Sequence, residues 1–387
     1  MSTSNWRGLL VLVSGSRYDG VQFASQHVAR ELAQYRPVLY VDPMQSPRSL
    51  WRGDGWRSAR RSTVRVVGPN LAVVSPRLPR NPPRFLTPLV RRLARRSVRR
   101  AVHALGADVY AVVLFATGAR LFDIADEQVR VYYAKDDFSA AVDLIGGSAD
   151  KIRASEEWCA ENADLVVAHS PTLMERWSAY QPLFIPNGVN PDDFAVTDDV
   201  PEPTDIDLPR PIAGFIGHLS NRIDVALLEA IAARGRSLLL IGPRQATFAA
   251  ERVERLFALP NVQWVGERSY RELPSYLRAI DVGLVPYTDS AFNRASFPLK
   301  TLEYLAAGRP VVATRLPAIE WLATDLVRIA EDPESFADAV GAAIDEGVAP
   351  EAVARRRAYA DQHSWASRVG TLAGALGLAT SRSSSDR

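Results

Sequence analysis

Phe297-Pro298-Leu299-Lys300-Thr301-Leu302-Glu303-Tyr304-Leu305-Ala306-Ala307-Gly308-Arg309-Pro310-Val311-Val312-Ala313-Thr314 is the stretch on which the fold reading turns. Pro298 suits the first turn of a helix, where its missing N–H costs little. Gly308 suits the left-handed position just past a helix end, and Pro310 prevents continuation. Val311-Val312-Ala313 then reads as a buried strand. The segment is a loop, a helix, a glycine stop and a strand.

Outward from this segment the same rhythm repeats. Strands are expected at 212–216, 238–241, 262–265, 282–285, 310–313 and 326–329. Helical patterns fall between them at 225–233, 248–258, 270–279, 300–307 and 333–343. The first half repeats the scheme, with strands at 9–13, 38–41, 64–67, 109–115, 129–133 and 165–168 and helices at 22–34, 85–105, 149–162 and 171–179. Short apolar runs alternating with helical patterns imply a parallel sheet with covering helices. The fold class is therefore α/β, with two Rossmann-like doubly wound domains facing each other across a cleft. We place the domains at residues 1–187 and 211–360. Residues 188–210, rich in Pro and Asp without apolar periodicity, read as a linker. A helix over 361–379 is expected to cross back to the first domain, and 380–387 reads as a disordered polar tail.

A chain of 387 residues exceeds what one core sustains, which agrees with two domains. A formal net charge of +2 provides no global basic field for nucleic acid. The single cysteine, Cys159, excludes an internal disulfide and falls within a helical pattern, as a buried thiol would. No apolar run reaches transmembrane length, and residues 9–13 are too short for a signal core. A cytoplasmic chain is expected. Residues 85–105 form a different kind of helix. Leu86, Leu89, Val90, Leu93, Ser97 and Ala101 share one face, and Arg91, Arg92, Arg95, Arg96, Arg99 and Arg100 crowd the rest without an acidic residue. Either a helix packed on the first sheet or peripheral contact with the anionic inner face of a membrane would use it. Trp51, Trp56 and Arg57 would add interfacial anchors.

Lys300 and Glu303 share a helix face at i, i+3 spacing. A cation at a helix start beside a carboxylate can hold phosphate and ribose, or the two can simply pair with each other. Spacing alone leaves both open. In the first domain, Gly15 and Ser16 follow a strand in a loop that can bring backbone N–H groups to a phosphate or sugar. Asp136 and Asp137 end another strand at the same edge. Both are acceptor-side candidates with Arg17, and Asp137 is also a catalytic candidate; helix capping is the alternative. No His or carboxylate cluster supports a metal. His169 and His218 lie at strand ends, where they either enter the cleft or serve structure.

Residues 298–313 match the pattern Pro-Leu-Lys-x-x-Glu-Tyr-x-Ala-x-Gly-x-Pro-Val-Val-Ala throughout. This segment resembles the donor-binding signature of retaining glycosyltransferases of the GT-B fold, family 4 in particular. Asp281-Val282-Gly283-Leu284-Val285-Pro286-Tyr287, Val262-Gln263-Trp264-Val265-Gly266 and Asn187-Gly188-Val189-Asn190 extend the likeness. The resemblance implies transfer of a sugar from a UDP-, GDP- or dTDP-sugar to a sugar, lipid-linked or small-molecule acceptor, with retention and without a metal or other cofactor. It implies Glu303 on the ribose, Lys300 and Arg222 on the diphosphate, and Gly217, His218, Asn293 and Leu299 around the donor. Many members carry a second Glu eight residues before the first, where this chain has Ala295. An inactive nucleotide-sugar-binding subunit of the same fold is the alternative.

Overall fold

The computed structural model describes residues 6–44, 64–78, 84–118, 120–246 and 248–378. Trp51, Trp56, Arg57 and the polar tail lie outside them.

The central apolar runs become strands buried on both faces, as parallel strands under helices must be, whereas the edge strand at 64–68 is largely exposed. In the first half these are β1 (Leu9–Val13), β2 (Val38–Val41), β3 (Val64–Gly68), β4 (Leu71–Val74), β5 (Val109–Leu114), β6 (Val129–Ala134), β7 (Leu165–Ala168) and β8 (Leu183–Phe184). They lie in the order β3-β4-β2-β1-β5-β6-β7-β8, all parallel except β3 on β4. The second half forms β9 (Ile212–Ile216), β10 (Ser237–Ile241), β11 (Val262–Trp264), β12 (Val282–Val285), β13 (Val311–Ala313) and β14 (Val327–Ile329). Their order, β11-β10-β9-β12-β13-β14, reverses direction between β9 and β12. That reversal opens a crevice at the carboxyl ends of the strands.

Two strands escape the periodic reading. β4 follows β3 after Pro69-Asn70, without an intervening helix, as the partner of an antiparallel edge. β8 is two residues long.

The stretch read as a linker is folded onto the second domain. It contains the helix Pro191–Ala195, whose Phe194 is buried in the second core. Asp198 pairs with Arg309 at 2.8 Å and with Arg357 at 2.6 Å. Tyr276 donates to Asp205 at 2.8 Å, and Arg268 pairs with the same carboxylate. Phe194, Asp198 and Asp205 are among the groups that hold the segment, and they make no periodic pattern.

The chain passes between the domains twice, and the two passages touch. The Val189 N–H donates to His363 O at 3.1 Å, and the Trp365 N–H donates to Val189 O at 2.9 Å. A Cβ on Gly188 would lie 2.8 Å from Trp365 N, so only glycine fits beside the returning chain. The helix Trp365–Ala375 then packs on the first domain, burying Trp365, Val369 and Leu372 with Val28, Ala29 and Leu32.

The arginine-rich helix, Thr87–Ala104, is rotated from its expected face. Val90, Ala94, Val98, Ala101 and Val102 are buried, while Leu89 and Leu93 face solvent. Half of the expected arginine face serves the fold. Arg95 donates to Phe122 O and Arg120 O, each at 3.0 Å, Arg99 to Ile124 O and Asp123 O, and Arg91 to Gly118 O at 3.4 Å. These i, i+4, i+8 guanidinium groups satisfy the carbonyls of a loop without regular structure.

Candidate functional site

The crevice of the second sheet is shaped by a missing stretch of ladder. β9 and β12 pair only at Ala213 with Val282 and Gly214 with Gly283. Beyond that point the Tyr304 hydroxyl enters between them, accepting from the Ile216 N–H at 2.8 Å and donating to Gly214 O at 3.4 Å. A Cβ on Gly283 would lie 2.3 Å from the Tyr304 ring, so glycine there makes room for it. Tyr304 thereby seats the helix Leu299–Ala306 over the crevice.

Lys300 and Glu303 sit on this helix and pair directly with each other, with side chains 22% and 10% exposed. The ion pair left open by spacing is therefore present, and it is shielded enough to hold both groups in place. Leu299 reaches the other domain, packing against the first core.

Arg222 approaches from the loop after β9. Its Nε donates to Asn293 Oδ1 at 2.8 Å, and its guanidinium lies 4.7 Å from the Tyr287 ring centre and 4.9 Å from that of Phe292. Among the described residues its terminal amino groups have no protein acceptor. Asn293 is fully buried, and its amide donates to Arg222 O and Thr288 O at 2.9 Å each. Its polar atoms thus hold Arg222 and Thr288. Gly217 is half-buried and His218 exposed in the same loop. Burial, followed by the Arg222 charge, holds the His218 imidazole below its ordinary value.

On the first-domain edge, Ser16 N–H donates to Ser14 Oγ at 3.0 Å, and Ser16 O accepts from the Tyr40 hydroxyl at 2.8 Å. Gln26 ties the rest of the loop, donating to Arg17 O at 3.0 Å and Val21 O at 2.8 Å. Gly15 is half-buried and the Arg17 side chain exposed.

Asp137 makes the helix-capping contact given above as its alternative. Its carboxylate accepts from Ser139 Oγ at 2.6 Å and Ala140 N at 3.1 Å, capping the short helix Phe138–Ala141, and it pairs with Arg176 at 2.6 Å. Arg176 also holds the buried Glu156 at 2.6 Å. Burial pushes Glu156 up to about 7, with Arg176 opposing. Asp136 instead accepts from Ser296 Oγ of the second domain at 3.2 Å.

That contact belongs to a seam that sequence reasoning missed. Ser170 Oγ donates to Ala295 O at 2.6 Å, Thr172 Oγ1 to Arg294 O at 2.8 Å, and Asn187 Nδ2 to Phe297 O at 2.9 Å. Ala295 is buried within the first-domain core. The position where the resemblance led to the expectation of a carboxylate is here an apolar contact between domains. Ser170 also caps the helix Pro171–Arg176, accepting from Leu173 N at 3.3 Å.

Two buried histidines flank these groups. His27 stacks on Trp365 with ring centres 5.3 Å apart, contacts Asn190 Nδ2 at 3.2 Å, and is lowered to about 4 by burial. His169 is likewise buried and lowered to about 4 by burial; its Nδ1 has no partner among the described residues. Neither is open to solvent, which favours the structural reading of His169.

Residues 210–346 match the family model for glycosyl transferases, group 1. The stretch holds the second sheet and all the donor-side residues named above except those of the first domain. A Bacillus subtilis (strain 168) protein provisionally named teichuronic acid biosynthesis glycosyltransferase TuaH is 40% identical over 109 residues, which span 28% of this chain and 27% of that protein. The match therefore covers about a quarter of the relative's length. Sucrose-phosphate synthase from Thermosynechococcus elongatus superposes with a TM-score of 0.67 at 18% identity, covering 96% of each chain. Anabaena Alr3699/HepE in complex with UDP-glucose superposes with a TM-score of 0.66 at 15% identity, covering 95% of this chain and 99% of that one. The architecture is GT-B.

Proposed function

We propose that this chain is a glycosyltransferase that moves a sugar from a nucleotide-diphosphate donor to an acceptor hydroxyl with retention, in cell-surface glycan, glycolipid or secondary-metabolite synthesis. The observation that carries the reading is the Tyr304-seated helix, which sets Lys300 and Glu303 at the crevice of a domain matching glycosyl transferases group 1. Glu303 accepts the ribose hydroxyls and Lys300 takes the diphosphate, an exchange of the internal ion pair for ligand contacts. Arg222, fixed by Asn293 and two rings, presents its terminal amino groups to the same phosphates. Both cations stabilise charge that develops on the leaving diphosphate, so transfer proceeds without a metal. The Alr3699/HepE neighbour was solved with UDP-glucose, which makes a UDP-sugar the first donor to try.

Gly217, His218 and Leu299 line the donor side, Gly15 and Ser16 face it from the first domain, and Arg17 and Asp136 lie toward the acceptor. Arg92, Arg96 and Arg100, with exposed Leu89 and Leu93, form the face that would meet an anionic membrane. Among the described residues no helix is long and apolar enough to cross one.

Calorimetry against UDP, GDP and dTDP, followed by product detection with the matching sugar donors, tests the reading. Lys300→Ala and Glu303→Ala are expected to weaken nucleotide binding about tenfold or more. Unchanged binding in both variants refutes it. A second reading, an inactive nucleotide-sugar-binding subunit, is favoured by the burial of Ala295. Nucleotide binding without turnover for any sugar donor would select it.

A further inference from the structure

We propose that Lys135, with Phe23 and Phe138, forms an acceptor subsite for an anionic group that adjoins an apolar or sugar-ring face. The transferase reading enters only in calling that ligand the acceptor.

Lys135 is one of three lysines in the chain and the first residue beyond β6, at the edge of the first sheet where Asp136 meets Ser296 of the second domain. Its ammonium lies 5.5 Å from the Phe23 ring centre and 5.6 Å from that of Phe138. The acidic groups beside it also have other partners, although the Asp136 charge acts on it. Asp136 accepts from Ser296, and Asp137 is held by Arg176 and the cap it makes. Among the described residues no carboxylate forms an ion pair with Lys135. Below, buried His169 carries an unpartnered Nδ1 within electrostatic reach of both Lys135 and Asp136.

Ring faces attract a cation but do not neutralise it. An ammonium between two rings, with the Asp136 charge acting on it but no ion pair formed, gains more from an incoming anion than a solvated lysine would. Burial lowers its pKa, with the Asp136 charge opposing. The ligand's second feature comes from the adjoining surface. Phe23 is 42% exposed and Val21 60% exposed, on the loop that Gln26 ties down. Exposed aromatic and branched side chains on a braced loop favour an apolar cover, which the C–H face of a sugar ring or an alkyl segment provides. Charge and platform together select a phosphate monoester or an acidic sugar over a neutral one.

The test uses the full chain and three probes: 4-nitrophenyl phosphate, 4-nitrophenyl glucuronide and neutral 4-nitrophenyl glucoside, with affinities from ligand-observed NMR titration. At least one anionic probe is expected to bind about tenfold more tightly than the glucoside. Preference for the phosphate assigns a phosphorylated acceptor, and preference for the glucuronide an acidic sugar. Lys135→Gln is expected to remove the difference, Lys135→Arg to keep it, and Phe23→Ala to weaken all three probes alike. UDP affinity is expected to be the same in Lys135→Gln as in the parent chain. Equal binding of charged and neutral probes overturns the proposal. So does a preference that survives Lys135→Gln or disappears in Lys300→Ala instead. Failure of UDP to bind while the anion preference holds would sink the transferase reading and leave this anion site standing.

Discussion

Replacing Tyr304 by Phe removes one oxygen atom from the centre of the second domain. The ring stays, and so does its packing against Gly283. What is lost is the acceptor for the Ile216 N–H at 2.8 Å and the weaker donation to Gly214 O at 3.4 Å. Ile216 is 4% exposed, so water cannot replace the hydroxyl. Leaving one buried amide unpaired costs about 1–3 kcal/mol. Taking about 2 kcal/mol, the opening equilibrium of this part of the sheet shifts roughly thirtyfold. Hydrogen exchange read by mass spectrometry on peptides spanning 212–220 reports it directly, without assuming that a two-domain chain unfolds in one step. We expect exchange at Ile216 to accelerate by about that factor, and nucleotide affinity to fall several-fold because the helix bearing Lys300 loses its seat. Gly283→Ala attacks the same contact from the other side and should cost about 1–3 kcal/mol by overpacking. Unchanged protection at Ile216 in Tyr304→Phe would show that the hydroxyl does not stand in for the absent ladder bond.

Other outcomes follow from the same contacts. Ala295→Glu would put a carboxylate into the first-domain core, so it should lower the thermal midpoint by several degrees without raising transfer activity; a stable, more active variant would refute the interdomain role of that position. His27 and His169 have folded pKa values near 4 against an ordinary 6.5, so the unfolded chain takes up protons first as pH falls through that window. Stability should then drop between pH 6.5 and 4, by roughly 1.4 kcal/mol per pH unit for each histidine. Glu156, raised to about 7, acts with the opposite sign between about 7 and 4.5 and offsets part of the loss. Urea midpoints measured across this range should fall, and His27→Gln should flatten the curve. Arg95→Ala should cost about 1–3 kcal/mol in urea denaturation by orphaning two carbonyls, whereas the triple change of Arg92, Arg96 and Arg100 to Ala should spare stability and reduce sedimentation with anionic liposomes.

Much of the fold could be read from local chemistry. Ile212–Ile216 and Val282–Val285 are apolar runs bounded by turn residues, and the strands keep those bounds. The helix bearing Lys300 was announced by Pro298 before it and Gly308 after it. What stayed hidden depends on groups distant in the chain. The Leu and Val stripes of residues 85–105 are equally good helical faces, and the carbonyls at 118–124 that claim Arg91, Arg95 and Arg99 decide between them. Asp137 had the same sequence signature as a reactive carboxylate. Its pairing with Arg176, 39 positions later, has no local signature. The contact of Asn293 with Arg222 joins residues 71 positions apart and had no local signature. The role of Tyr304 needs Gly214 and Gly283 to be neighbours, and topology alone brings them together.

The paired passages at Val189 and Trp365 set how the two halves of the chain can move. A single covalent strand would permit swivelling in every direction, whereas two strands clamped by reciprocal hydrogen bonds act as a pivot. Rotation that opens the crevice bends both strands together and leaves their bonds intact; twisting about the long direction shears them. We expect domain motion to favour this pivot, and opening must release the Ser170, Thr172, Asn187 and Asp136 contacts with the 294–297 segment. Ligand exchange would then proceed along a hinged path rather than by free tumbling of two tethered bodies.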